Sequence, residues 1–155
     1  MKQEGDKRWV PPDAGTLKIN VDGAFNPSSG AAALGVVIRD HAGQPMLTAW
    51  RKRFIVGMLS LDAEDAKAAA CLDGVRLIGR WPHSRVVLNQ GEDAGQLQNF
   101  VIVKCHREQN KVAHELAHLA CKRRESHVSF SFISDCIQDL VSSERVSIEP
   151  YNNST

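Results

Sequence analysis

Two acidic residues in this 155-residue chain stand where a carboxylate can do chemistry. Asp22 follows an alternating stretch, Leu17-Lys18-Ile19-Asn20-Val21, and precedes Gly23. A carboxylate at the end of a buried strand, beside a residue without a side chain, can hold a cation. Glu64, in Asp62-Ala63-Glu64-Asp65, opens a long helical pattern. Each has a plain alternative. Asp-Gly is a common turn pair, and acidic residues favour helix N-termini through the macrodipole. A third feature is His114-Glu115-Leu116-Ala117-His118, which matches His-Glu-x-x-His on a predicted helix. In zinc peptidases that spacing puts two imidazoles one turn apart, with the glutamate as base. Cys121 stands where the extended form of the pattern needs glycine. His127, Asp135 and Glu144 are the distant residues that could complete a ligand set, and none is convincing.

The elements that must position these residues follow from periodicity. Residues 1–15 are polar, with Pro11-Pro12 and Gly15, and read as a linker anchored by Trp9. Residues 16–21 alternate as a half-buried strand, with Lys18 and Asn20 on the polar side. Residues 31–39 (AAALGVVIR) form a second strand, apolar enough for burial on both faces. Asp40-His41-Ala42-Gly43 is a hairpin loop. Residues 44–54 form a third strand with Met46, Thr48 and Trp50 on one side. Three strands with short links predict an antiparallel meander.

Residues 60–80 are the clearest helix. Ala63, Ala66, Ala70, Gly74 and Leu77 recur at helical spacing, Ser60 or Asp62 could cap it, and Trp81-Pro82 ends it. Strands at 85–88 and 100–104 follow, then a helix over 109–124 with Val112, Leu116 and Leu119 inward. Residues 134–143 could form a short amphipathic helix. This order predicts an α/β chain with a five-stranded mixed sheet flanked by helices. The domain spans 16–125, and 126–155 is a tail containing the short helix.

Composition narrows the class. Hydrophobic residues make up 43% and charged residues 24%, which excludes a disordered polymer, a collagen or a coiled coil. The formal charge of +1 gives no whole-protein basic field. No apolar run is long enough for a membrane span. The opening residues lack the apolar stretch of a secretory signal, and the four cysteines (71, 105, 121 and 136) form no Cys-x-x-Cys pair. The expectation is an intracellular, reduced, monomeric protein of the nucleus or cytoplasm that does not meet a membrane.

Together the motifs carry a resemblance. Trp9-Val10-Pro11-Pro12, Lys18-Ile19-Asn20-Val21-Asp22-Gly23-Ala24-Phe25, Gly35-Val36-Val37-Ile38-Arg39-Asp40, Ala63-Glu64-Asp65-Ala66 and the run from His106 to Ala117 resemble the ribonuclease H type-1 family. The likeness is to its short plant branch, found in retroelement reverse transcriptases and genes derived from them. It covers roughly residues 9–125. The resemblance implies a ribonuclease H-like fold that cleaves RNA in RNA–DNA hybrids with two magnesium ions held between clustered acids. Manganese can take the place of magnesium.

By that resemblance Asp22 is the first acid and Glu64 the second. The third should close a stretch like Glu-Ser-Asp. Here the stretch reads Asn89-Gln90-Gly91, and Gly91 has no carboxylate. The fourth falls on His114, a histidine common in the plant branch and a weaker partner for a hard ion. His106 falls where the family carries a mobile histidine that assists water or product. Asn110 falls where the family often carries an asparagine that contacts nucleic acid. Separately, Lys104, Arg107, Lys111, Lys122, Arg123 and Arg124 form a local basic surplus that could track a phosphate backbone or could be a solvated helix face. The link over residues 89–99 is shorter than the family's and too short for its usual helix. Glu92 and Asp93 lie inside it, as solvated loop charges or as substitutes for the lost acid. The implied function is a hybrid-binding domain with impaired cleavage. The alternative is a catalytically dead, retroelement-derived binding domain or relic.

Overall fold

The structure, a computed structural model, describes residues 8–54, 63–81, 84–90, 101–104, 107–123, 126–130 and 135–146. Six strands form one sheet: β1 (Thr16–Asn26), β2 (Ala31–Arg39), β3 (Pro45–Phe54), β4 (Arg85–Gln90), β5 (Val101–Lys104) and β6 (His127–Ser129). Their order is β5-β4-β1-β2-β3-β6. β1, β2 and β3 form the expected antiparallel meander, while β4 runs parallel to β1 and β5 parallel to β4. The mixed sheet of the sequence reading is present, with one short strand added: β6 pairs antiparallel with β3 through three residues. Three helices flank it: α1 (Ala63–Ile78), α2 (Lys111–Lys122) and α3 (Asp135–Val146). Among the described residues no helix is long and apolar enough to cross a membrane.

Period-2 alternation divides the core in two. Leu17, Ile19 and Val21 of β1 and Leu34, Val36 and Ile38 of β2 meet Ala66, Ala70 and Leu77 of α1. On the other face Ala33, Val37 and Trp50 meet Val112, Ala113 and Leu116 of α2 and Ile137 and Val141 of α3. β2 lies between them with all nine residues buried, as its unbroken apolar run predicts. On β3, Thr48 is buried and Trp50 joins the α2 face, but Met46 packs with Leu47 against the α1 face. A register shift between Ile38 and Arg39 breaks the alternation there and corrects the expectation that Met46 shares the side of Trp50.

The periphery departs from the sequence reading in part. Trp9, the expected anchor of the N-terminal segment, is 2% exposed and belongs to the core. The stretch from 126 supplies the expected short helix as α3, which buries Ile137 and Val141 on the sheet, and adds β6. The shortened 89–99 link predicts a poorly formed join between β4 and β5, yet the two pair in register from Val87↔Val101 to Gln90↔Lys104. Residues 91–100, with Gly91, Glu92 and Asp93, lie outside the described residues, as do Ser60 and Asp62.

Cys71 lies on the buried, sheet-facing side of α1, and burial pushes its thiol up from 9.0 to about 11. The folded chain therefore holds this proton more tightly than the unfolded chain. The associated stability is complete below pH 9 and is lost as pH rises toward about 11. The urea midpoint of the native protein should fall more steeply across that window than that of Cys71→Ala. Parallel curves for the two would contradict this.

Candidate functional site

Asp22 does not end β1. The strand continues to Asn26, and pairing with β2 is unbroken from Lys18↔Arg39 to Asn26↔Ala31. The reading of Asp22-Gly23 as a strand end is corrected by packing. A Cβ on Gly23 would stand 2.4 Å from the Ala66 backbone carbon, so glycine here lets α1 cross the strand in contact. Alternation then sends the Asp22 side chain to the opposite face.

That face is crossed by α2, and the crossing point is set by the same register pair. Asp22 is opposite Gly35 on β2. A Cβ on Gly35 would lie 2.1 Å from the Ala113 carbonyl oxygen and 2.5 Å from the Ala117 nitrogen. The absence of a side chain at 35 seats α2 on the sheet beside the Asp22 carboxylate. His114 Nδ1 is consequently 2.8 Å from Asp22 Oδ2. The other oxygen, Oδ1, accepts the Gly23 backbone N–H at 3.0 Å. Asp22 is 16% exposed at its side chain and His114 53%, so the pair opens to solvent from beneath the helix.

Asn110 precedes α2, but its side chain does not cap the helix. It is 5% exposed and turned inward. Its Nδ2 donates to the Val21 carbonyl at 2.8 Å, and its Oδ1 accepts from Asn20 Nδ2 at 3.1 Å. A residue matched to nucleic-acid contact by resemblance thus spends its amide inside the protein. Lys111, one residue on, is exposed. Arg107 lies in a 3-10 turn, Arg107–Gln109, just before it, with its side chain outside the described residues. His106 lies outside them altogether. Glu64 is in the first turn of α1, two residues before the Ala66 contact with Gly23; its backbone is described and its side chain is not.

His114, Glu115, His118 and Cys121 are all exposed on α2. Two of the three distant residues considered for a zinc set have other partners: the His127 ring stacks on Trp50 at 4.6 Å, and Glu144 pairs with Arg39. Among the described residues no group of three or more His, Cys, Asp or Glu could hold a metal ion. For magnesium the described donors are one carboxylate, already carrying an N–H on one oxygen and an imidazole on the other. A hard ion prefers several oxygen ligands, and the side chain of Glu64, the second acid by resemblance, lies outside the described residues.

The periodicity did not reveal Asn20, Arg39 and Glu144, all buried. Asn20 was expected on the polar side of β1, and it is 0% exposed because α2 covers that side. The signal available was a charged residue, Arg39, closing an otherwise apolar run.

Comparison with known proteins supports this architecture. A family model described as reverse transcriptase-like matches residues 20–95. A solved ribonuclease H1, LC11, isolated from compost by a metagenomic approach, superposes with a TM-score of 0.59 at 17% identity, covering 70% of this chain and 96% of that one. No curated protein matches the chain in sequence. The fold is that of ribonuclease H.

Proposed function

We propose that this chain is a ribonuclease H-like domain that binds RNA–DNA hybrid and whose metal-dependent cleavage is impaired. The fold and the reverse transcriptase-like match support the binding. The observation that carries the impairment is His114 Nδ1 at 2.8 Å from Asp22 Oδ2. By resemblance these are the first and fourth positions of an acid set, and here an imidazole occupies an oxygen that the chemistry would leave free for an ion. Bound divalent ions would supply water activation and leaving-oxygen stabilisation, and by resemblance Asp22 and Glu64 are the residues that would hold them. What the chain's own residues do is different. Asp22 orients His114, Asn110 fastens α2 to β1, and Lys111 and Arg107 lie at the α2 N-terminal end, where they can meet a phosphate backbone.

A few phosphate contacts give a salt-sensitive interaction, with a slope of log affinity against log salt of about −2 to −3. Fluorescence anisotropy on a labelled hybrid at low salt tests this. Hybrid should bind more tightly than DNA duplex, and Lys111→Glu should weaken binding and reduce the slope by about 1. Affinity no better than that of a neutral control protein would reject the reading.

A further inference from the structure

Among the described residues, one chain of buried polar contacts begins away from the site and ends at it. Asn20 Oδ1 accepts two hydrogen bonds, from Trp9 Nε1 at 2.9 Å and from Arg39 Nη2 at 3.3 Å. Indole and guanidinium nitrogens can only donate. This fixes which end of the Asn20 amide is oxygen, so its Nδ2 must face Asn110. Asn110 must then present Oδ1 to Asn20 and Nδ2 to the Val21 carbonyl, as observed. Direction therefore passes from indole and guanidinium through two amides to the backbone beside Asp22. The Asn110 backbone carbonyl also accepts the His114 N–H at 3.0 Å. One residue thus ties the strand next to Asp22 and the turn that carries His114.

The far end is held by the C-terminal helix. Arg39 is 1% exposed, its guanidinium lies 4.0 Å over the Trp9 ring, and its Nη1 donates to Glu144 Oε2 of α3. Among the described residues, Arg39 Nε and Glu144 Oε1 have no hydrogen-bond partner. A buried pair with unused atoms is a poor source of stability, and its geometry serves placement.

We propose that Asn20, held by Trp9 and Arg39 and locked by Glu144, is a positioning residue that sets the His114–Asp22 contact through Asn110. This deepens the function proposed above and rests on it only for the purpose of the site. Asn20→Asp is the discriminating variant. It keeps an acceptor for Trp9 and Arg39 but turns an oxygen toward Asn110. Asn110 can answer only by flipping its amide and setting its own oxygen against the Val21 carbonyl.

The test is nitrogen-15 NMR of the imidazoles in the full chain, with His114→Asn assigning the signal. The native protein should show a protected His114 Nδ1–H. Asn20→Asp should lose it, while Ile19→Val, a destabilising change on the opposite face, should retain it. If Asn20→Asp does not fold, Trp9→Phe decides: exchange of the Nδ1 proton should rise severalfold. An unchanged His114 signal in the folded Asn20→Asp protein, or unchanged exchange in Trp9→Phe where that variant decides, overturns the relay. Hybrid affinity is measured alongside. A native chain that shows the protected proton but binds no hybrid rejects the proposed function and upholds the relay.

Discussion

Replacing Gly35 with alanine should cost about 3 kcal/mol or more, beyond the usual range for one added methyl in a packed core. The added carbon meets backbone, at 2.1 Å from the Ala113 oxygen and 2.5 Å from the Ala117 nitrogen, and neither can rotate away. α2 must lift from the sheet, exposing Val112 and Leu116 and drawing His114 off Asp22. Gly15→Ala is the matching control. Position 15 has a φ of 78° and open space around it, so only the backbone term of about 1–2 kcal/mol applies. Urea denaturation of both variants checks the difference. A Gly35→Ala midpoint no lower than that of Gly15→Ala would mean that α2 does not sit where the structure places it.

Glu144→Ala should be the most damaging single change in the C-terminal segment, at about 3–5 kcal/mol, because it leaves the Arg39 guanidinium buried without a counter-charge. Burial alone already lowers the Arg39 pKa, and Glu144 is the group that offsets it. Removing both charges should be gentler. Arg39→Met with Glu144→Leu should lose less stability than Glu144→Ala alone, despite changing two residues. Equilibrium unfolding of the single and double variants settles the ordering. If the double variant is the less stable, the pair contributes net stability and the placement role assigned to it fails.

These two sites mark how far the sequence could be read. Strands and helices were legible wherever one face was buried, since alternation in β1 and helical spacing in α1 follow directly from contact with the core. The Asp22-Gly23 pair was misleading because glycine has two uses. It reads as a turn, yet here it marks a close helix crossing, and only the neighbouring helix tells the two apart. Asn20 was misread for a related reason. A polar residue on the alternate face of a strand points to water unless another element covers it, and α2, ninety residues away, does so. β6 is too short to leave a periodic signal. Glu144 carried no mark beyond its charge, because its partner Arg39 is 105 residues distant.

Family resemblance, and not periodicity, puts Asp22 and His114 in one acid set, and the fold brings the two within 2.8 Å. Asn110 shows the limit of such transfer. The residue type suits a nucleic-acid contact and an internal tie equally well, and burial with both amide atoms engaged selects the tie.

The hybrid-binding domain proposed here has Asp22, the first acid by resemblance, engaged by the His114 imidazole. Incubating the purified chain with RNA-labelled hybrid in magnesium, and separately in manganese, tests this most directly. Each lost metal-holding contact worth about 1.4 kcal/mol slows the reaction tenfold. Bound but essentially intact RNA is expected in magnesium, with at most slow cleavage in manganese, whose tolerance of nitrogen ligands is greater. Rapid magnesium-dependent cleavage that is abolished by Asp22→Asn would contradict this.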